Sequence, residues 1–170
     1  MTSPSILVID VGTTGLRAAL VNGSGHIIDV EYCKNPPETP FSGLVEFDAM
    51  HMYTAARDVA LTVLQRNPNC AIGIGITNQR ASTIVWNRTT GEPLGAALGW
   101  QDLRTVMECI TARLEHGLMF APNQTATKAG WMLKNYGAHL EEELLRGDIC
   151  IGTIDTWLTW KFTAGEAFVT

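Results

Sequence analysis

The sequence predicts an α/β domain built on a mixed sheet with flanking helices. Residues 6–11 form a short, continuous apolar run of β-branched character, the pattern of a strand buried on both faces. Two further strand-like runs, 16–21 and 27–32, follow across the turn signals Gly12-Thr13-Thr14-Gly15 and Asn22-Gly23-Ser24-Gly25. Helical periodicity then alternates with strand-like runs, and that order indicates an α/β architecture.

Each element has a local reason. The first three runs, joined by glycine turns, make an antiparallel meander. Residues 34–43 carry Pro36, Pro37, Pro40 and Gly43 and read as a loop. Asp48 suits the cap of a helix running to Arg66, with Met52, Ala56, Val59, Ala60, Val63 and Leu64 on one stripe, and Asn67-Pro68-Asn69 stops it. Residues 70–77 read as a second buried strand, with 83–86 as its neighbour and 87–91 as the following turn. Helices are expected over 103–115, 127–136, 140–146 and 153–162, with a short strand at 149–151 and the start of another at 167–170.

Composition narrows the classes. The 170 residues are 46% hydrophobic and 17% charged, the balance of a chain with a sizeable core. A net charge of −5 leaves no basic field for a nucleic-acid backbone. Cys33, Cys70, Cys109 and Cys150 lie far apart, never as CxxC, which fits reduced thiols in a cytoplasm rather than a zinc site or disulfide framework. Asp10 interrupts the first apolar run at once, and no run approaches the roughly 18 residues of a membrane helix, so neither signal peptide nor membrane span is expected.

Two regions carry chemistry. In Asp10-Val11-Gly12-Thr13-Thr14-Gly15 a carboxylate ends a buried strand and two glycines bracket two hydroxyls. Such a turn can aim N–H groups and hydroxyls at phosphate oxygens, because glycine permits close approach and unusual dihedrals. Asp10 could hold magnesium through water, and Arg17 adds a fixed positive charge. Neither GxxxxGK[ST] nor GxGxxG is present; the bland alternative is a tight hairpin turn. Gly73-Ile74-Gly75 reads as strand glycines allowing close packing. Thr77-Asn78-Gln79-Arg80 stands at the end of the second strand, where open α/β sheets bind ligands, and Trp100-Gln101-Asp102-Leu103-Arg104 is a second such cluster; together they supply amides, guanidinium groups, a carboxylate and an indole, a set suited to a polyhydroxylated ligand. A surface turn in which Asp102 pairs internally with Arg104 or with Arg80 fits these clusters as well. Trp157 and Trp160 are core anchors by this reading, and Glu141-Glu142-Glu143 is a solvated helix face.

Together these segments resemble the FGGY carbohydrate kinases. The resemblance rests on residues 9–17, on Gly75-Ile76-Thr77-Asn78-Gln79-Arg80 with Thr83-Ile84-Val85-Trp86, and on Trp100-Gln101-Asp102-Leu103-Arg104-Thr105. It extends to Gly43-Leu44-Val45-Glu46-Phe47-Asp48 and Gly152-Thr153-Ile154-Asp155-Thr156-Trp157-Leu158. It implies a ribonuclease H-like (actin-like ATPase) domain, incomplete at its C-terminus, with residues 1–170 as a partial N-terminal domain. The implied chemistry is transfer of the ATP γ-phosphate to a sugar or polyol hydroxyl. By that resemblance Asp10 faces Mg2+; Gly12, Thr13, Thr14 and Arg17 approach the ATP phosphates; and Gln79, Arg80 and Trp100 line the polyol pocket with Asp102 close by. The catalytic base is expected beyond Thr170, which leaves these residues inactive alone. A homo-oligomer is allowed. Ala81 stands where glycerol kinases have Glu, Asn123 where they have Tyr, and the 113–121 stretch is shorter; a site missing such partners discriminates differently, which bears on glycerol as substrate. A standalone nucleotide- or polyol-binding module and a non-functional truncated product remain as alternatives.

Overall fold

The computed structural model describes residues 4–167. In chain order the elements are β1 (Ser5–Val11), β2 (Gly15–Asn22), β3 (Ile27–Lys34), β4 (Glu46–Phe47), α1 (Ala49–Arg66), β5 (Ala71–Asn78), β6 (Thr83–Asn87), β7 (Ala97–Leu98), α2 (Val106–His116), α3 (Thr125–Asn135), α4 (Leu140–Arg146), β8 (Ile149–Thr153) and α5 (Ile154–Phe162). They form two compact units, one of residues up to 36 with 51–79, the other of 37–50 with residues from 80 onward. The expected strand start at 167–170 falls outside the described residues from 168 on.

The first unit holds a sheet of order β3-β2-β1-β5, in which β1 pairs antiparallel with β2 and parallel with β5. Strand alternation separates its faces: Leu7, Ile9 and Val11 are buried, while Ile6, Val8 and Asp10 on the other face are partly exposed. On α1, Met52, Ala56, Val59, Ala60 and Val63 recur at helical spacing and are buried, whereas Leu64 is only half-buried. Arg66 ties the helix end to β3, donating to Asp29 at 3.0 Å and to Glu31 at 2.8 Å. Strand β5 differs from its expected buried state. Ile72 is 72% and Ile74 56% exposed because β5 is an edge strand with β1 as its one partner in this sheet. Gly73 and Gly75 behave as expected: Ile6 of β1 packs over them, 3.4 and 3.9 Å from where their Cβ atoms would be.

The second unit holds a sheet of order β4-β7-β6-β8. Here the expectation that 83–86 neighbours 70–77 fails: β6 pairs antiparallel with β7 and β8 and belongs to another sheet from β5. Its residues Thr83 to Trp86 are all buried, so this strand meets side chains on both faces. On one face Val85 joins Leu98, Met132, Leu140 and Ile149 in a core flanked by Trp131 and Tyr136. On the other, Trp86 meets Trp157 edge-on at 5.2 Å and lies 6.1 Å from Trp160, which confirms those tryptophans as core anchors. The two-residue strands β4 and β7 pair with each other and had no signal in the sequence.

Candidate functional site

The candidate residues fall in both units. In the first, the β1–β2 hairpin closes through Gly12 N–H donating to Gly15 C=O at 2.9 Å, and Asn35 N–H donates to Thr14 C=O at 3.1 Å. The two glycines are needed for space rather than for unusual dihedrals, since neither has positive φ. A Cβ on Gly12 would lie 3.1 Å from the Gly15 carbonyl oxygen, and one on Gly15 would enter the Tyr32 ring. Gly12 and Gly15 therefore serve close approach, as expected, and not the unusual dihedrals also expected of them.

Asp10 and Arg17 are cross-strand partners and form an ion pair, Nε to Oδ2, at 3.1 Å. Tyr32 is in register with Arg17 on β3, and Thr77 with Asp10 on β5, so these four make one polar row across the sheet. The pair is solvent-accessible, with Arg17 56% and Asp10 36% exposed, so both charges can exchange partners with an incoming ligand. No cluster of three or more His, Cys, Asp or Glu able to hold a metal occurs among the described residues. A single exposed carboxylate fits magnesium that arrives on a nucleotide, because magnesium keeps waters and phosphate oxygens and takes one or two carboxylates. Gln79 is anchored at the end of β5 through its N–H, which donates to Val11 C=O at 2.9 Å.

In the second unit Arg80 is exposed, and Ala81 after it adopts the left-handed region at φ 64°. That conformation is costly for a residue with a Cβ and marks a locally constrained backbone. Ser82 Oγ accepts from Trp100 N–H at 3.1 Å and so fixes the turn that carries Trp100, whose surface is 38% exposed.

Asp102 is 1% exposed. Its Oδ1 accepts from Arg104 Nε at 2.8 Å and Arg104 N–H at 3.0 Å, and its Oδ2 from an Arg104 terminal nitrogen at 2.8 Å and Val45 N–H at 2.7 Å. Arg104 also donates to Glu46 at 2.6 Å and lies 4.6 Å above the Trp131 ring. The internal Asp102–Arg104 pair is therefore present, extended by two groups more than fifty residues away. Burial works to raise the Asp102 pKa, but hydrogen bonds from Arg104 and Val45 outweigh it and hold the carboxyl below its usual value. Both carboxylate oxygens are thus engaged and buried, and they tie the turn that follows Trp100 to Val45 and, through Arg104, to Glu46.

Lys128 was absent from the sequence-derived site. It lies on α3, is fully buried, and its Nζ has no hydrogen-bond partner. Burial pushes its pKa down to about 8, opposed by the charges of Asp102 and Cys109. Its position four residues before buried Met132 was the available signal, since i and i+4 share a helix face. Tyr136 donates through its hydroxyl to Ala96 C=O at 2.6 Å, and burial raises its pKa to about 12. At the start of α5, Thr153 donates to Asp155, consistent with a structural role for that carboxylate.

All four cysteines are free, and no described helix is long and apolar enough to cross a membrane.

A sequence profile of the FGGY family of carbohydrate kinases, N-terminal domain, matches residues 5–170. The chain is 37% identical to a glycerol kinase of Mycoplasma capricolum and 39% identical to one of Staphylococcus haemolyticus, in each case over 97% of this chain and 35% of the relative. Among solved structures, a Plasmodium falciparum glycerol kinase crystallised with ADP superposes with a TM-score of 0.86 at 26% identity, covering 96% of this chain and 35% of that one. A xylulose kinase from Rhodospirillum rubrum, at 18% identity and a TM-score of 0.76, shares the fold over 92% of this chain and 33% of its own. The chain thus spans about a third of the length of the relatives it matches.

Proposed function

Because the chain belongs to the FGGY family of carbohydrate kinases and matches its N-terminal domain, we propose that it is the phosphate- and polyol-binding portion of an ATP-dependent kinase acting on a sugar or polyol hydroxyl. The observation that carries this reading is the β1–β2 hairpin: a glycine-closed turn beside an accessible carboxylate–guanidinium pair. Phosphoryl transfer depends on positioning and charge stabilisation more than on covalent help from the protein. Gly12, Thr13, Thr14 and Arg17 would meet the nucleotide phosphates, Arg17 exchanging its Asp10 partner for phosphate. Asp10, so released, would hold a Mg2+ ion that supplies charge neutralisation when bound.

On the substrate side, Gln79, Arg80 and Trp100 present an amide, a guanidinium and an indole, a combination that pairs hydroxyls and packs against C–H faces. Asp102 acts as a positioning residue for Trp100 rather than as a substrate ligand. The proton-accepting base is expected outside residues 1–170, so the portion binds without turnover.

Calorimetry on the 170-residue chain tests this. Mg-ATP binding is expected, weakened about tenfold or more, equivalent to about 1.4 kcal/mol, by Asp10→Asn. The thermal midpoint should scarcely move, because an exposed ion pair contributes little stability. Arg80→Ala should lower affinity across a panel of polyols and leave Mg-ATP binding intact. A folded chain that binds neither ligand class refutes the proposal, as does robust turnover by residues 1–170 alone.

A further inference from the structure

On the face of the first sheet that carries Asp10 and Arg17, one side chain reaches the hairpin turn from a neighbouring strand. Tyr32 of β3 is the cross-strand partner of Arg17. Gly15, two residues before Arg17 on β2, lies on the same face one diagonal step away, within reach of an aromatic side chain. The tip of the phenol, rather than the base of its ring, covers that glycine. A Cβ on Gly15 would run into the Tyr32 hydroxyl oxygen and lie 2.6 Å from Cζ and 2.7 Å from Cε2. The side chain therefore leans along the sheet, from the row of Asp10 and Arg17 to the turn Gly12-Thr13-Thr14-Gly15. Tyr32 is 56% exposed, and its hydroxyl makes no hydrogen bond among the described residues. Packing alone does not ask for an oxygen here, because a phenylalanine ring would cover Gly15 as well.

We propose that the Tyr32 hydroxyl is a further phosphate-binding group of the hairpin, donating its proton to a non-bridging oxygen of the nucleotide polyphosphate beside Arg17. This rests on the reading of the hairpin as the phosphate site. The donors present favour it. Phosphate oxygens only accept, and the Gly12 N–H is already spent on closing the hairpin to the Gly15 carbonyl, so side-chain donors must carry the recognition there. Arg17 supplies them from β2 and Tyr32 from β3, on either side of Gly15, and a hydroxyl bonded to an anionic oxygen is stronger than one bonded to water. The missing side chain at Gly15 is what admits the phenol to the turn. The hydroxyl's share is that of one net hydrogen bond at a water-accessible site, about fivefold in affinity. A distorted hairpin loses more than that, so relieving a clash at Gly15 by removing the ring would still recover more binding than the lost hydroxyl forfeits.

Calorimetry of the 170-residue chain with Mg-ATP and with magnesium tripolyphosphate, which keeps the phosphates and lacks the nucleoside, tests it. Tyr32→Phe leaves the ring on Gly15 and removes only the oxygen. This variant should bind both probes about fivefold more weakly than the wild type, with an unchanged thermal midpoint and an unchanged affinity for polyols. Tripolyphosphate should also produce a tyrosine ultraviolet difference signal in the wild type, from a phenol whose hydrogen bonding has changed, and the signal should be lost in Tyr32→Phe. A Phe variant that binds both probes like the wild type, or a difference signal that persists in it unchanged, overturns the role of Tyr32 and leaves the hairpin reading standing. A loss seen with Mg-ATP but not with tripolyphosphate does the same, since the hydroxyl would then face the nucleoside. A folded wild type that binds neither probe removes the hairpin reading and the role of Tyr32 with it.

Discussion

Replacing Lys128 by Met should stabilise the protein, and by an amount that depends on pH in a defined way. The ammonium is buried and has no hydrogen-bond partner, and its pKa of about 8 compares with 10.5 for an ordinary lysine. Between those values the folded chain binds fewer protons at this site than the unfolded chain, so wild-type stability rises with pH through the window. Below about 8 both states are protonated and the full burial cost is present. At about 1.36 kcal/mol per pH unit, the gap corresponds to about 3 kcal/mol. Met fills a similar volume and carries no charge, so Lys128→Met is expected to gain up to that amount at pH 7. The gain should shrink steadily from pH 8 and vanish near pH 10.5. Cys109 and Asp102 face the ammonium and Arg104 lies within the same network; Tyr136 and Cys150 titrate in both proteins, so the difference between the two curves isolates Lys128. Urea unfolding followed by circular dichroism at pH 7, 8, 9 and 10 gives that difference. A gap that does not change with pH would mean that burial does not lower the Lys128 pKa, and a Met variant less stable throughout would mean that the ammonium is a net stabilising counter-charge for Asp102; either result refutes the prediction.

Arg104→Gln should cost about 3–5 kcal/mol of unfolding free energy, because it strands the buried carboxylate of Asp102; a loss below about 1 kcal/mol, on the scale of an exposed pair, would mean the network is not a brace. Gly15→Ala places a methyl group against the Tyr32 ring and should cost about 1–3 kcal/mol, with weaker Mg-ATP binding. Adding Tyr32→Ala should restore much of both, and no recovery in the double variant would show that the glycine is needed for another reason. Indole fluorescence or calorimetry with Ser82→Ala, which removes the acceptor that holds the Trp100 N–H, should show weaker polyol binding with Mg-ATP binding preserved; equal loss of both would point to general unfolding.

The sequence by itself determined the elements whose causes are local. The meander was legible because glycine turns punctuate three apolar runs, and α1 because a 3.6-residue stripe ends at Asn67-Pro68-Asn69. Helix α4 spans the predicted residues 140–146, while α2 starts three residues later than its pattern suggested. The hairpin and the polar clusters were legible as well, since they need particular residue types in short spacing. Tertiary structure decided what depends on distant partners. Runs 70–77 and 83–86 look alike in sequence, yet one is an exposed edge and the other a central strand, because β6 found β7 and β8 rather than β5. The local Asp102–Arg104 pair was visible, but only folding brings Val45 and Glu46 to it and turns a surface turn into a buried brace. Lys128 sits on its helix stripe like any apolar residue, and its charge becomes costly only once the packing removes water. Periodicity reports which face of an element is apolar; which surface that face meets, and whether a charge there finds a partner, is settled by residues far away in the chain.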